Sequence, residues 1–147
     1  MAGWIELKKK RYLTVEDMAA LNNNFNYLRN YYLSFGLPVG ELCDITVTYN
    51  ISPADIQQKF NDVERNIQTI QKITSEYLHI ENQYFKKYSW EKYPKQLKAE
   101  VYRWIDWLNE MKKYRLKYVD LTDINNEPIT NMNGVNLQVF EIYKEED

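Results

Sequence analysis

The sequence predicts a mainly α fold of the α+β class: an antiparallel bundle of three or four long helices, a short strand before the second helix, and a small C-terminal β-hairpin or meander. Three observations carry this prediction. Apolar residues recur at steps of three and four in three stretches: Met18, Leu21, Phe25, Leu28, Tyr32, Phe35; Ile56, Phe60, Val63, Ile67, Ile70; and Leu97, Val101, Trp104, Leu108, Met111. Each stretch therefore places one apolar face on a helix, and each face must be buried. The first two stretches open on N-cap residues, and the chain changes beyond Val119 to short apolar runs between turn residues. The expected organisation is one domain over residues 1–147, with an extended arm at 1–13, the helical bundle at 14–118 and a β-rich acidic tail at 119–147.

The arm, Trp4 to Leu13, ends in Lys8-Lys9-Lys10-Arg11 before Tyr12. Such a run suits an acidic partner or a charged edge that discourages strand pairing. Thr14-Val15-Glu16-Asp17 supplies a capping hydroxyl and two first-turn carboxylates, so a helix starts at Val15. It runs to about Phe35, roughly 30 Å at the usual rise, and Gly36 and Pro38 stop it. Asn22, Asn23, Asn24, Asn26 and Asn30 make it asparagine-rich. Because Asn is a poor helix former, those amides are expected to be bonded across an interface or exposed. Ile45-Thr46-Val47-Thr48-Tyr49 alternates like a strand. Ser52-Pro53-Ala54-Asp55 starts the second helix, which reaches at least Ile73; residues 74–93 either continue it or form a separate helix. Lys95 to about Tyr118 is the third helix, with Ile105 and Trp107 widening its apolar surface toward two neighbours. Asn125-Asn126-Glu127-Pro128 and Met132-Asn133-Gly134 then separate runs around Leu121, Ile129 and Val135–Phe140.

Charge is unevenly distributed. Residues 86–118 hold ten Lys/Arg against four Asp/Glu, whereas residues 119–147 hold one against seven. A basic helix beside an acidic segment suits pairing within one chain or head to tail between chains, and equally two solvated faces. Thirteen Tyr and four Trp suit a wet core or an interface. The single cysteine, Cys43, excludes an intrachain disulfide. No apolar run approaches the ~20 residues that cross a bilayer, and no leader-like segment opens the sequence. A protein made in a cytoplasm, without a signal peptide and without membrane contact, is expected.

Catalytic chemistry is poorly provisioned. Glu76-Tyr77-Leu78-His79 has the spacing of a di-iron ligand pair, but such sites need two of these motifs plus further carboxylates. Cys43 and His79 lack surroundings that mark a nucleophile and base, and Glu100, Asp106 and Glu110 suit helical ion pairs better than acid–base work. Four glycines leave no phosphate loop. No enzyme activity, cofactor or metal is therefore predicted. The candidate contact residues are aromatic: Trp107, Tyr31, Tyr118, Tyr102 and Tyr114. Trp107 lies off the core stripe, so Trp107→Ala is expected to weaken assembly without disturbing the fold. Tyr102, Tyr114 and Tyr118 on a basic third helix offer an alternative, a face for nucleic acid or carbohydrate.

Asp17-Met18-Ala19-Ala20-Leu21-Asn22 with Asn26-Tyr27-Leu28, and Asp55-Ile56 with Phe60-Asn61-Asp62-Val63-Glu64-Arg65-Asn66-Ile67, resemble a pattern in minor virion proteins of tailed phages and prophages of Gram-positive gut bacteria. In that pattern a capped start, an Asp plus an apolar residue and an Asn-Arg-Ile-Glu-x-Asn-Ile-like core open a helix that packs in a baseplate or tail-fibre assembly. Here the order is Glu64-Arg65-Asn66-Ile67, and the first helix lacks the Arg and Glu. Leu121–Ile129 also resembles hairpins of phage fibre proteins. The resemblance covers a minority of the chain and carries no catalytic residue. It implies a structural protein of a virion, made in the host bacterial cytoplasm, that assembles with copies of itself or with other virion proteins. Two similarly capped helices also suggest a decayed internal repeat whose register shifts after Met18 and Ile56.

Overall fold

The computed structural model describes residues 3–8, 14–80 and 97–145. Among these residues are three helices and two strands: α1 (Val15–Ser34), α2 (Pro53–Leu78), α3 (Leu97–Met111), β1 (Tyr114–Asp120) and β2 (Gln138–Lys144). The chain divides into two compact units, Met1–Met111 and Lys112–Asp147.

In the first unit, α1 and α2 start where their caps require. The Thr14 hydroxyl accepts the Asp17 N–H while the Asp17 carboxylate accepts the Thr14 N–H, a complete capping box. Gly36, at φ 80°, ends α1: its N–H donates to the Leu33 carbonyl, and the Leu37 N–H donates to Tyr32. This is the six-to-one and five-to-two pairing of a Schellman stop, with Leu37 and Tyr32 both buried. Ser52 caps α2 with Pro53 in its first turn. His79 ends α2 in the left-handed conformation, at φ 54°.

The predicted faces form the core. Met18, Leu21, Phe25, Leu28 and Tyr32 of α1, Phe60, Val63, Ile67 and Ile70 of α2, and Val101, Trp104, Ile105, Trp107, Leu108 and Met111 of α3 are all buried. Two tryptophans three residues apart let α3 meet both neighbours. Trp107 packs on Phe25 of α1 at 5.9 Å between ring centroids, and Trp104 packs on Phe60 of α2 at 5.6 Å. The Glu64 carboxylate accepts hydrogen bonds from the Trp104 indole and the Arg103 guanidinium, tying α2 to α3 through an ion pair that is largely out of water.

An antiparallel bundle of three or four long helices is not what forms. Extended segments lie against the helices and take part of their surface. In the arm, the Asn24 amide accepts the Ile5 N–H and donates to the Ile5 carbonyl, at 2.9 and 2.8 Å. Asn66 treats Cys43 in the same way. Ile45–Tyr49 is therefore not a strand: the Ile45 N–H is bonded to Asn22 Oδ1 at 3.1 Å, so a helix side chain supplies the partner that a neighbouring strand would have supplied. Both helices share one plan, an extended segment, a cap and an asparagine clamp. Ile5 precedes Thr14 by as many residues as Cys43 precedes Ser52. The clamping asparagine stands 19 residues beyond its target in the first case and 23 in the second, a difference of about one helical turn. Lys9 to Leu13 of the predicted arm, and residues 81–96, lie outside the described residues.

The third helix ends at Met111, not at Tyr118, and the helical part of the chain ends there too. The three-four stripe stops at Met111, and Tyr114, Leu116 and Tyr118 then alternate as a strand does. β1 and β2 pair antiparallel, from Tyr114 opposite Lys144 to Asp120 opposite Gln138.

Candidate protein-protein interface

The second unit is built on a repeat of eight residues. Leu121-Thr122-Asp123-Ile124-Asn125-Asn126-Glu127-Pro128 is followed by Ile129-Thr130-Asn131-Met132-Asn133-Gly134-Val135-Asn136. Each copy folds into the same small hairpin. Asp123 Oδ1 accepts the N–H groups of Asn125 and Glu127, and Asn131 Oδ1 accepts those of Asn133 and Val135. The residue that must turn left-handed is Asn126 (φ 62°) in the first copy and Gly134 (φ 77°) in the second. At the base, three backbone hydrogen bonds close a ring. The Leu121 N–H donates to the Leu137 carbonyl, Leu137 to Ile129, and Ile129 to Leu121, at 2.7, 2.7 and 2.8 Å. The Asp120 carboxylate secures the return of the chain by accepting from the amides of Asn136 and Gln138.

This scaffold holds apolar side chains in water. Ile124 and Met132, equivalent positions of the repeat, are exposed to 96% and 103%. Nine of the thirteen exposed large apolar side chains among the described residues lie in this unit, although it is much the smaller of the two. A patch of this kind on a stapled backbone is a mark of contact with another molecule. The predicted turn residues are present here, but the repeat and its two apolar tips escaped the sequence reading. Their signal was available, as Thr-Asp/Asn, a large apolar residue and Asn recur at a spacing of eight.

The aromatic candidates do not converge. Trp107 is fully buried between α3 and Phe25, so it cannot be a contact residue; its place off the first stripe reflects a helix that packs on two sides. Tyr31 is half-buried on α1 beside Tyr32 and Phe35, and Tyr102 is half-buried on α3. Tyr114 and Tyr118 belong to β1, so no single basic, aromatic third-helix face exists. Tyr118 is exposed, whereas the Tyr114 ring lies under the Lys144 ammonium at 5.5 Å.

The helical unit carries a cleft of about 400 Å³ lined by Val15, Met18, Val47, Ile51, Ile56 and Phe60. At its edge the Tyr49 hydroxyl donates to Glu16 at 2.5 Å, which raises the Tyr49 hydroxyl and lowers the Glu16 carboxyl from their ordinary pKa values. Burial and the neighbouring Asp62 push the Cys43 thiol up, away from the thiolate a nucleophile needs. Among the described residues no group of three or more His, Cys, Asp or Glu is placed to hold a metal ion, and no helix is long and apolar enough to cross a membrane.

No family model matches the chain, and no curated protein or solved structure matches it.

Proposed function

We propose that this chain is a non-enzymatic structural protein of a phage or prophage particle, made in the bacterial host and acting through protein–protein contacts. One observation supports the contact role: the exposed apolar side chains are concentrated on a turn-stapled hairpin, while the helical unit buries its own apolar faces. The phage setting rests on the resemblance of the two capped helix starts and of Leu121–Ile129 to virion proteins. Within such an assembly a few apolar anchors supply most of the affinity, and Ile124 and Met132 replace Trp107 in that role.

Purified particles from a strain encoding the chain test this reading. Quantitative mass spectrometry is expected to find the chain in a fixed ratio to the major virion proteins, and its deletion is expected to leave incomplete particles in electron micrographs. Complete particles that lack the chain overturn it.

A further inference from the structure

The hairpin unit carries opposite charge at its two ends. Its stem, residues 112–119 and 139–145, holds five Lys/Arg against two Asp/Glu, and its tip, residues 120–138, holds three Asp/Glu and no Lys or Arg. Between these ends lies an apolar stripe. Cross-strand register places Arg115 with Tyr143, Lys117 with Glu141 and Val119 with Val139 on one face. The Leu121–Leu137 bond continues that register. On this face Leu121, Leu137, Val139 and Tyr143 are exposed to between 38% and 44%. On this face an apolar centre lies between a stem end, where Lys113, Arg115 and Lys117 outnumber Glu141 and Glu145, and an acidic tip end with Asp123 and Glu127. The opposite face contains the buried Leu116 but also the exposed Tyr118 and Ile142.

We propose that this face pairs with the same face of a second copy of the chain, antiparallel, about a two-fold axis near the level of Asp120. The proposal rests on the assembly reading above and names its partner. Charge selects the copy and its direction. The acidic tip is complementary to a part-apolar surface of net positive charge, and the stem of a second hairpin is one. The antiparallel arrangement brings Lys117 of each copy to the level of Asp123 and Glu127 of the other, and the Val119–Val139 level of each onto the Leu121–Leu137 level of the other. A parallel arrangement sets stem on stem and tip on tip, like charge on like charge. The contact is isologous and closes at two copies.

Size exclusion with light scattering on the full chain tests the pairing. The expected result is a dimer that salt weakens but does not abolish, since the stripe is apolar and only its ends are charged. Val139→Glu, at an exposed position, is expected to give a monomer with an unchanged far-ultraviolet circular dichroism spectrum. Lys117→Glu and Glu127→Lys are each expected to weaken the dimer about tenfold or more. Mixed one to one, these two variants are expected to pair with each other, because each then meets the charge opposite to its own at both ends. A wild-type monomer at every concentration, a dimeric Val139→Glu variant, or a mixture no tighter than its components overturns the proposal. Particle composition decides the assembly reading separately.

Discussion

Asn66 holds Cys43 by both of its backbone groups: Oδ1 accepts the Cys43 N–H at 2.7 Å and Nδ2 donates to the Cys43 carbonyl at 3.0 Å. A primary amide has the donor and acceptor spacing of a peptide group, so a helix side chain here does what the next strand does in a sheet. Asn66 is 1% exposed, which keeps water from replacing it. Asn66→Ala leaves both Cys43 groups without their partner and is expected to cost about 1–3 kcal/mol, read from the urea midpoint. Asn66→Asp keeps the acceptor but loses the donor. It is expected to be at least as harmful at neutral pH, where its buried carboxylate faces a carbonyl oxygen.

The second prediction concerns Glu64. Its carboxylate accepts from both the Trp104 indole and the Arg103 guanidinium, and the ion-pair side chains are each about 10% exposed. Removing one partner of a buried pair strands the other. Glu64→Ala is thus expected to destabilise by about 3–5 kcal/mol, with a change in tryptophan emission. Glu64→Gln keeps an acceptor for the indole and is expected to cost less. A Glu64→Ala variant as stable as the wild type refutes the pairing.

Trp107 supplies the third. Full burial against Phe25 makes Trp107→Ala a cavity mutation, with an expected loss of about 3–5 kcal/mol, not a surface change that spares the fold. A thermal unfolding midpoint equal to the wild type's contradicts this placement.

What the sequence disclosed and what it hid divide along a physical line. Caps and core faces act through residues adjacent in sequence or on one helix face, so Thr14, Ser52, Gly36 and the three apolar stripes were legible. Ile45–Tyr49 had the alternation of a strand, but strand formation depends on a partner, and Asn22 and Asn66 took its backbone groups first. The asparagines were conspicuous, yet nothing local tells an amide which distant backbone to hold. The end of α3 was obscured because Tyr114 and Tyr118 suit a helix flank as well as a strand, and pairing with residues 138–144 decided between them. Trp107 lies off a single apolar stripe because its helix packs on two neighbours. The tips Ile124 and Met132 could have been found from the repeat of eight.

Tyr49 and Glu16 give a pH-dependent prediction. The Tyr49 hydroxyl donates to Glu16 and holds its carboxyl below the ordinary glutamate range. A carboxyl whose folded-state pKa is lowered contributes stability above its unfolded pKa and loses it as pH falls through the folded value. Tyr49→Phe removes the donor. The Glu16 pKa, followed by carboxyl-carbon NMR, is expected to move upward, and the acid limb of the stability profile is expected to become shallower between the two pKa values. An unmoved Glu16 titration contradicts the bond.

The two turns of the repeat form an internal control, since the same position is Asn126 in one and Gly134 in the other, both left-handed. A Cβ on Gly134 meets no atom within 4 Å, so Gly134→Ala tests backbone strain without a clash. It is expected to cost about 1 kcal/mol. Asn126→Gly removes a strain that asparagine only partly relieves, and it is expected to be neutral or slightly stabilising despite the flexibility glycine adds to the unfolded chain. Opposite signs for the two substitutions, measured by chemical denaturation, follow if both turns have the same left-handed backbone. A Gly134→Ala variant as stable as the wild type refutes that equivalence.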